Sequence, residues 1–358
     1  MSGRLDDAGF VGRWFRHRAA RLGPGVVDVR VHAVRRLSRG VSRQTWSVST
    51  EVREETGRWS GREFIVRRDH ADGGIVPTPL RTEYETYRRL NGSPVPTATA
   101  LWFEDDPRWE PDGRPAYVRT KVEGDWRLPF IADESPEQDR ARIAASKEHL
   151  DKLALVHTLD WEGLGFGELF PVPSSPADCA ENLIRAALAR LADFQFEPNP
   201  VLAETISWLR ARAPRDCPRI TLCKGNNGHG EEVWSGGRIV AMSDWELAAL
   251  GDPAYDFAQV QEMIPEIHRD GRRIWGLPEA LAYYRERTGI EVTVERVEFY
   301  RMFYGVLQFL YSHHAAALAR RRDPVALRFM WTATEVSFRS QLRLARVFGV
   351  DLMKEAIA

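Results

Sequence analysis

The chain has 358 residues, and 50 Lys and Arg against 51 Asp and Glu leave a formal net charge of -1. This balance argues against a dedicated nucleic-acid-binding protein, whose basic surface normally shows in its composition. Hydrophobic residues at 43% and charged residues at 28% are typical of a protein with a packed core. The length predicts more than one such core.

Cysteine usage and apolar patterning indicate the compartment. The cysteines are Cys179, Cys217 and Cys223, without a CxxC pair, which predicts free thiols in a reducing compartment and disfavours structural zinc. The N-terminal residues carry charges throughout and lack the apolar core of a secretory signal. Polar residues such as Arg301 interrupt the most apolar stretch, residues 299–318, so a membrane span is not expected. We therefore expect a soluble, cytoplasmic protein.

The first third of the chain predicts mainly strands. Short segments rich in Val, Thr, Trp and Ile alternate with turn residues. The predicted strands are Val26 to Val34, Gln44 to Val52, Glu63 to Arg68, Thr97 to Phe103 and Ala116 to Val122. Between the third and fourth, Tyr84, Tyr87 and Leu90 share one face of a helix predicted over residues 80–90.

After Gly124 the periodicity becomes helical. Helices are predicted over residues 141–158, 177–192 and 201–213, and apolar stripes at helical spacing return in the last hundred residues. One non-helical island, residues 220–246, interrupts them. Within it, Arg238 to Met242 predicts a buried strand that ends just before Asp244. A carboxylate at a strand end is typical of metal or phosphate chemistry, and a turn-forming Asp is the alternative.

A strand-rich part, a helical part and an island ending in Asp suggest a kinase-like arrangement. The stretches that carry a more specific likeness are LSRGVSRQTW (37–46), FIVRR (64–68), TEYETYRRL (82–90) and SDWELAALGDPAYDFA (243–258). In order and spacing they resemble the aminoglycoside phosphotransferase and choline kinase-like superfamily of small-molecule kinases. The likeness extends over residues 30–320, and the DWE and GDPxxD run is its most specific part.

The resemblance implies an α+β, bilobal, protein-kinase-like fold. Residues 1–122 would form an N-terminal nucleotide-binding lobe, an antiparallel sheet with one helix. Residues 123–358 would form a larger helical lobe. The catalytic loop would lie at residues 220–234, and the metal-binding segment at residues 239–256.

The same resemblance assigns nucleotide-binding roles in the first lobe. Gly40 and Ser42 would belong to a loop over the phosphates, residues 37–44. Arg67 would be the cation on the third strand, able to bind phosphate oxygens with both guanidinium branches. Glu83 would orient that cation from the helix. The alternatives are a surface arginine on an edge strand and a solvated glutamate.

In the second lobe, the resemblance assigns Asp244 to magnesium beside the nucleotide phosphates. Asp252 and Asp256 match the family's second acidic pair, which mainly braces the catalytic loop. The alternative for Asp244, a buried turn residue, is disfavoured by the apolar strand before it and the GDPxxD run after it.

The catalytic loop departs from the family pattern of His-Gly-Asp, four residues, then Asn. Lys224, Asn226 and Glu231 replace the His, the Asp and the Asn, and Gly225 is kept. Asn226 cannot accept a proton as a carboxylate does, and loss of a general base typically costs about 10²- to 10⁴-fold in rate. Its oxygen can still orient a hydroxyl, because positioning and metal supply most of the catalysis in phosphoryl transfer.

Other loop residues offer partial replacements for what is missing. Glu231 is a hard oxygen ligand suited to metal, and Lys224 can neutralise phosphate charge. His229, Glu231 and Glu232 are candidate replacement bases; for His229 the alternative is a loop histidine with no catalytic part.

The leading hypothesis is an ATP- and Mg²⁺-dependent phosphotransferase that acts on a hydroxyl of a small molecule, with Tyr300, Phe303 and Tyr304 as apolar walls for the acceptor. The rival is a catalytically inactive nucleotide-binding pseudokinase that serves as a scaffold or regulator. Transfer of another part of the nucleotide, such as AMP, stays open. A hydrolase with a GxSxG elbow and a dinucleotide fold are disfavoured, because neither motif is present. The acceptor, ATP or GTP use, and the oligomeric state are left open.

Overall fold

The computed structural model describes residues 4–37, 42–71, 73–195, 198–260, 262–320 and 327–349. The chain forms two compact units. The N-terminal unit comprises Met1–Ser93 and Thr97–Glu123, and the C-terminal unit comprises Pro94–Pro96 and Gly124–Ala358. The first contains an antiparallel sheet and the second is mainly helical, so the fold class is α+β.

A five-stranded antiparallel sheet in the order β1-β2-β3-β5-β4 forms the N-terminal unit. Its strands are β1 (Val26–Leu37), β2 (Arg43–Glu54), β3 (Trp59–Asp69), β4 (Ala100–Glu104) and β5 (Ala116–Thr120). Two helices accompany the sheet, α1 (Ala8–His17) and α2 (Leu80–Leu90). The bounds of α2 confirm the predicted helix, whereas β1 to β3 run further than the predicted strands.

Alternation along the strands separates the two faces of the sheet. Trp46 is paired with Val66 in the β2–β3 ladder, and both belong to the apolar cluster that α1 joins through Trp14 and Phe15. The next pair along, Thr45 and Arg67, lies on the other face because successive residues of a strand point to opposite sides. The sheet therefore has one apolar face and one face that carries a cation.

Helix α1 was not predicted from the sequence, and it closes the apolar face. Asp7 caps it by accepting a hydrogen bond from Gly9 N at 2.8 Å. Its buried residues are Phe10, Val11, Trp14 and Phe15. Farther along, Trp14 Nε1 donates to Glu104 Oε2 at 2.8 Å, and Arg18 donates to both oxygens of Glu104. Helix α1 is thus tied to β4 by one buried carboxylate.

Among the described residues, the C-terminal unit contains the remaining helices and three short two-stranded sheets. The helices are α3 (Asp139–His157), α4 (Asp178–Phe194), α5 (Pro200–Arg212), α6 (Leu277–Thr288), α7 (Val294–Ala319), α8 (Leu327–Trp331) and α9 (Ser337–Val347). The strands are β6 (Thr221–Cys223), β7 (Glu232–Ser235), β8 (Arg238–Met242), β9 (Ala249–Gly251), β10 (Ile267–Arg269) and β11 (Arg272–Trp275). One π-helical turn, Thr332–Val336, joins α8 to α9.

The island predicted at residues 220–246 carries two of the strand pairs. Strand β7 pairs with β8 across Gly236 and Gly237, both with positive φ, as a two-residue hairpin turn requires. Strand β6 pairs with β9, so Lys224 follows one strand of this pair. The bounds of β8 confirm the predicted strand at residues 238–242.

Glu148 of helix α3 holds the β7–β8 hairpin in place. Glu148 accepts hydrogen bonds from Ile239 N at 3.0 Å and from Arg238 Nη1 at 2.8 Å. Trp234 exchanges two backbone hydrogen bonds with Asp125, at 2.7 and 2.6 Å. Each strand of the hairpin is thereby tied to a neighbouring segment, β8 to α3 and β7 to Asp125. Across the described residues, no helix is both long and apolar enough to cross a membrane.

Candidate active site

The N-terminal unit brings Arg67 and Glu83 into direct contact, as the resemblance implies. Arg67 lies on the central strand β3 with its side chain only 11% exposed, and its Nη1 pairs with Glu83 Oε1. Glu83, on α2, is completely buried. The alternatives of an edge-strand surface arginine and a solvated glutamate are therefore wrong.

Tyr117 and a second arginine complete the surroundings of Glu83. Tyr117 Oη donates to Glu83 Oε1 at 2.9 Å, and Arg43 Nε lies 2.7 Å from Glu83 Oε2. Burial opposes ionisation of Glu83, but the positive charges of Arg67 and Arg43 outweigh it, so the pKa of this carboxyl is lowered. Glu83 is held as a carboxylate. The sequence analysis did not identify Arg43.

The loop proposed to cover phosphates lies partly outside the described residues. Gly40 is among the residues that the structure does not describe. Ser42 is half-buried directly before β2. The backbone of Gly74 approaches the carbonyl of Ser42 so closely that a Cβ there would lie 2.7 Å from the oxygen.

In the C-terminal unit, the turn after β6 requires glycine at position 225. Gly225 has φ of 80°, and a Cβ at this position would lie 2.1 Å from the carbonyl oxygen of Leu247. Backbone from the segment after Asp244 thus packs directly on the loop. This explains why Gly225 is the element of the family's His-Gly-Asp pattern that the chain keeps.

Asp256 organises the same turn from beneath. Its fully buried carboxylate accepts hydrogen bonds from Lys224 N at 2.7 Å, Gly225 N at 2.6 Å and Asn227 Nδ2 at 3.0 Å. His157 Nε2 lies 2.9 Å from the same carboxylate. These partners overcome the effect of burial and lower the pKa of Asp256. The geometry matches the bracing role that the resemblance implies.

Asp252 braces a neighbouring segment. Among the described residues, no hydrogen bond of its side chain reaches the loop. It caps the short 3₁₀ helix Pro253–Phe257 by accepting from Ala254 N at 2.9 Å. Arg296 Nη1 donates to its other oxygen at 2.9 Å and also reaches Asp216 through Nη2. Asp252 therefore links the GDPxxD run to α7.

Ligand-type atoms of His157, Cys223 and Asp256 also lie within 4.8 Å of one another. Asp256 is occupied by the loop hydrogen bonds, and the two nitrogens of His157 face Tyr284 Oη at 2.7 Å and Asp256 at 2.9 Å. Cys223 is fully buried, and burial raises the pKa of its thiol well above the ordinary value. These groups are structural supports of the turn rather than an available metal site.

The loop supported by Asp256 places Asn226 and Glu231 next to Asp244. Asn226 Nδ2 donates to Asp244 Oδ2 at 2.5 Å. Burial and the charge of the adjacent Asp244 carboxylate raise the pKa of Glu231 to about 7, against the opposing charge of Lys224. Asp244 itself adopts a left-handed conformation with φ of 65°, which a non-glycine residue rarely takes outside functional or turn positions.

These three side chains fit a hard divalent cation. Two neighbouring carboxyl groups and an amide offer oxygen ligands of the kind that Mg²⁺ binds in phosphoryl-transfer sites. Burial and repulsion between the two carboxyl groups raise the pKa of Glu231, and a divalent cation held by both groups would offset that repulsion. The donor set of the segment from 226 to 244 therefore suits the metal that the resemblance implies.

Lys224 is buried beside this group. Its Nζ donates to the backbone oxygen of Asn226 and lies 6.0 Å from the centroid of the Trp245 ring. Its positive charge reaches Glu231, whose pKa it lowers in part. A buried ammonium thus stands next to the acidic pair.

The other loop residues are placed less favourably for proton transfer. His229 Nε2 accepts a hydrogen bond from Leu128 N at 2.8 Å, and its Nδ1 lies 3.6 Å from Glu262 Oε2. Glu232 is fully buried, with Oε1 3.2 Å from His149 Nδ1. The His229 side chain is therefore engaged by the backbone of Leu128, and the Glu232 side chain is buried beside His149.

The predicted apolar walls of an acceptor site are mostly core. Tyr300 and Phe303 are each 1% exposed and pack against Tyr255 with ring centroids 6.0 and 6.2 Å away. Tyr304 alone of the three is partly exposed. The prediction is wrong for Tyr300 and Phe303, because their face of α7 is the one turned to the core.

The fold has solved relatives. A protein of Ralstonia eutropha JMP134 assigned as an aminoglycoside phosphotransferase is 19% identical, with 95% of this chain and 98% of that chain covered and a TM-score of 0.63. A thermostable mutant of aminoglycoside phosphotransferase APH(4)-Ia, in complex with ADP and hygromycin B, is 14% identical (94% and 97% covered, TM-score 0.58). Macrolide 2'-phosphotransferase MphH of Brachybacterium faecium is 18% identical (93% and 97% covered, TM-score 0.54).

At these identities the structural likeness concerns the fold, which is that of aminoglycoside phosphotransferases. No curated protein matches the chain by sequence. The model of the phosphotransferase enzyme family matches residues 33–300, a span that contains the Arg67–Glu83 pair, the loop and Asp244. The chain therefore belongs to the phosphotransferase enzyme family.

Proposed function

We propose that the protein is an ATP- and Mg²⁺-dependent phosphotransferase that transfers a phosphoryl group to a hydroxyl of a small molecule. Phosphoryl transfer requires a cation on the phosphates, oxygen ligands for a metal and a group that positions the acceptor. Each requirement has a candidate among the described residues. Solved relatives that bind ADP or AMP-PNP with hygromycin B support nucleotide use.

In this proposal, Arg67 binds phosphate oxygens and Glu83 fixes its orientation. The planar guanidinium suits two phosphate oxygens at once. Ser42 and Gly40 would contribute to the loop over the phosphates, as the resemblance implies. Because the buried carboxylate of Glu83 pairs with Arg67, it restricts the position of that guanidinium before any nucleotide arrives.

Asp244 and Glu231 would hold the metal. Bound Mg²⁺ would neutralise phosphate charge and orient the transferred group. Asn226 would direct its amide oxygen at the acceptor hydroxyl while its amide nitrogen stays on Asp244. Lys224 would offset negative charge from inside the loop. We assign His229 a bracing role through Leu128 in place of a catalytic one.

The observation that carries the proposal is the grouping of Asn226, Glu231 and Asp244. Over the positions of the pattern, residues 224–231, the family has one carboxylate, at the Asp of His-Gly-Asp, and this chain has one as well, Glu231, five positions later. A carboxyl group is therefore present beside Asp244 although the individual residues differ.

The test is a calorimetric titration of ATP into the protein with and without Mg²⁺. We expect binding that depends on Mg²⁺ and is lost in Asp244→Asn, followed by transfer of phosphate when hydroxylated small molecules are screened as acceptors. Asn tolerates the left-handed conformation at position 244, so this variant removes the charge without straining the backbone.

Asp270→Asn is the matched control, because Asp270 is an exposed turn residue with φ of 51° in the same unit. It should bind ATP as the wild type does. Absence of ATP binding under both conditions would contradict the proposal. Mg²⁺-dependent binding without transfer to any acceptor, or to water, would favour the pseudokinase, for which Asn226 in place of a base is the supporting feature.

A further inference from the structure

Arg43 is a buried cation with no role in the proposed function. It is the first residue of β2, lies within residues 37–44, the span proposed to cover the phosphates, and is 2% exposed. A side chain this buried cannot bind a nucleotide itself. Its contacts, however, join three segments of the N-terminal unit.

The first contact is with the end of β3. Arg43 and Asp69 are directly paired in the β2–β3 ladder, and Arg43 Nη1 forms an ion pair with Asp69 Oδ1. Two positions along the same ladder, Thr45 pairs with Arg67. Arg43 therefore lies on the same face of the sheet as the phosphate-binding candidate.

The other contacts are with α2 and the chain that leads into it. Arg43 Nη2 donates to the carbonyl oxygen of Thr78 at 2.7 Å, two residues before the helix begins. Arg43 Nε lies 2.7 Å from Glu83 Oε2, while Arg67 and Tyr117 occupy Glu83 Oε1. Glu83 thus has a guanidinium group beside each of its oxygens.

We propose that Arg43 is a positioning residue that locks α2 and Glu83 against β3, so that Arg67 is set for phosphate before a nucleotide binds; this rests on the proposed function. A carboxylate with a guanidinium group beside each oxygen is restricted in its rotation by both ion pairs. With Arg43 removed, Glu83 Oε2 would be buried without this partner, and the carboxylate would turn to recover one. Arg67 would turn with it.

The experiment compares Arg43→Met with Arg68→Met. Arg68 is the next residue after Arg67 on β3, is 5% exposed and pairs with Asp112 on the opposite face, so its loss also breaks a buried arginine pair. Two quantities are measured: amide hydrogen exchange across α2, and the Kd for ATP with Mg²⁺ by calorimetry.

We expect Arg43→Met to speed exchange in α2 and to raise the Kd about tenfold, the size of coupling expected between residues in one contact network. Arg68→Met should lower thermal stability while leaving both quantities within about twofold of wild type. In a Glu83→Gln background, Arg43→Met should add less than about twofold to the Kd, because the two residues act through one contact.

Arg43→Lys keeps the charge and guards against a failure of the methionine variant to fold. One ammonium cannot bridge Asp69, Thr78 and Glu83 together, so we expect it not to restore the wild-type values. Three outcomes would contradict the positioning role of Arg43. They are wild-type exchange and Kd in Arg43→Lys, unchanged exchange in α2 of Arg43→Met, and a rise in Kd of about tenfold for Arg43→Met in the Glu83→Gln background. If wild type binds no ATP, the proposed function fails, and the exchange measurement still decides the role of Arg43.

Discussion

The replacement of Asp by Asn at position 226 changes what the residue does to its neighbour. Asn226 donates a hydrogen bond to Asp244, whereas a carboxylate there would repel it. The negative charge that the family pattern places at this position lies instead on Glu231. Two neighbouring carboxyl groups, those of Glu231 and Asp244, therefore lie beside an amide that donates to Asp244.

Asn226→Asp tests this arrangement. Without metal, we expect the variant to lose about 1–3 kcal/mol of unfolding free energy, because a hydrogen bond to Asp244 becomes a repulsion. Millimolar Mg²⁺ should recover much of the loss, since it neutralises the three carboxylates. Urea denaturation with and without Mg²⁺ measures both effects.

Asn199→Asp is the control for that substitution. Asn199 caps α5 by accepting from Leu202 N, a role that Asp fills equally well. Its stability should be unchanged and should not respond to Mg²⁺. If Asn226→Asp behaves like this control, Asn226 does not support Asp244.

Gly225→Ala tests the close approach of the Leu247 carbonyl to the backbone of the turn at Gly225. The substitution places a methyl group 2.1 Å from Leu247 O at φ of 80°, so we expect a loss of about 2–4 kcal/mol in unfolding free energy. Gly236→Ala separates the two causes. Gly236 also has positive φ, 56°, but a Cβ there meets nothing within 4 Å, so about 1 kcal/mol should be lost. Equal losses would show that the contact with Leu247 does not matter.

At the scale of elements, the sequence predicts helices and strands whose apolar residues recur at a regular local spacing. It does not predict contacts that depend on how two strands are paired. Helix α2 and strand β8 were predicted with their bounds because their apolar patterns and flanking turns are local. Helix α1 has buried residues at positions 10, 11, 14 and 15, but interspersed arginines obscured the pattern. Arg43 needed the β2–β3 register, which pairs it with Asp69 at the end of the ladder farthest from the connecting turn.

The tie between α1 and β4 predicts a pH dependence. Burial raises the pKa of Glu104, but the hydrogen bonds from Arg18 and Trp14 outweigh it, so the pKa in the folded protein lies below its ordinary value of 4.5. For an acid with a lowered pKa, the stabilisation is complete above pH 4.5 and is lost as the pH falls through the folded pKa.

Glu104→Gln should therefore cost stability at pH 7 and less in acid. We expect a loss of about 1.5–3 kcal/mol at pH 7, typical of hydrogen bonds to a charged group, and a smaller difference from wild type below pH 4. Urea denaturation at the two pH values gives the comparison. Glu51→Gln, which alters an exposed partner of His32, should change little at either pH. A difference that is independent of pH would contradict the assignment.

At the scale of the whole molecule, each unit carries one part of the proposed machinery. The cation Arg67 with its support lies in the N-terminal unit, and the acidic pair of Glu231 and Asp244 lies in the C-terminal unit. A ligand that binds only the folded chain stabilises it, by about 2.7 kcal/mol at 100 times its Kd. The proposed function assigns the phosphates to Arg67 and the metal to the acidic pair, so a change in either should remove this stabilisation.

ATP and Mg²⁺ together should therefore raise the midpoint of thermal unfolding by several degrees. This increase should exceed the sum of the increases that ATP alone and Mg²⁺ alone produce. Arg67→Met and Asp244→Asn, in different units, should each abolish the joint increase, whereas Arg68→Met and Asp270→Asn should keep it. Differential scanning fluorimetry at saturating ATP gives the four comparisons. A joint increase that survives in Asp244→Asn but not in Arg67→Met would mean that the nucleotide binds without the acidic pair. That result would assign metal binding to other residues and leave Glu231 and Asp244 as a structural pair.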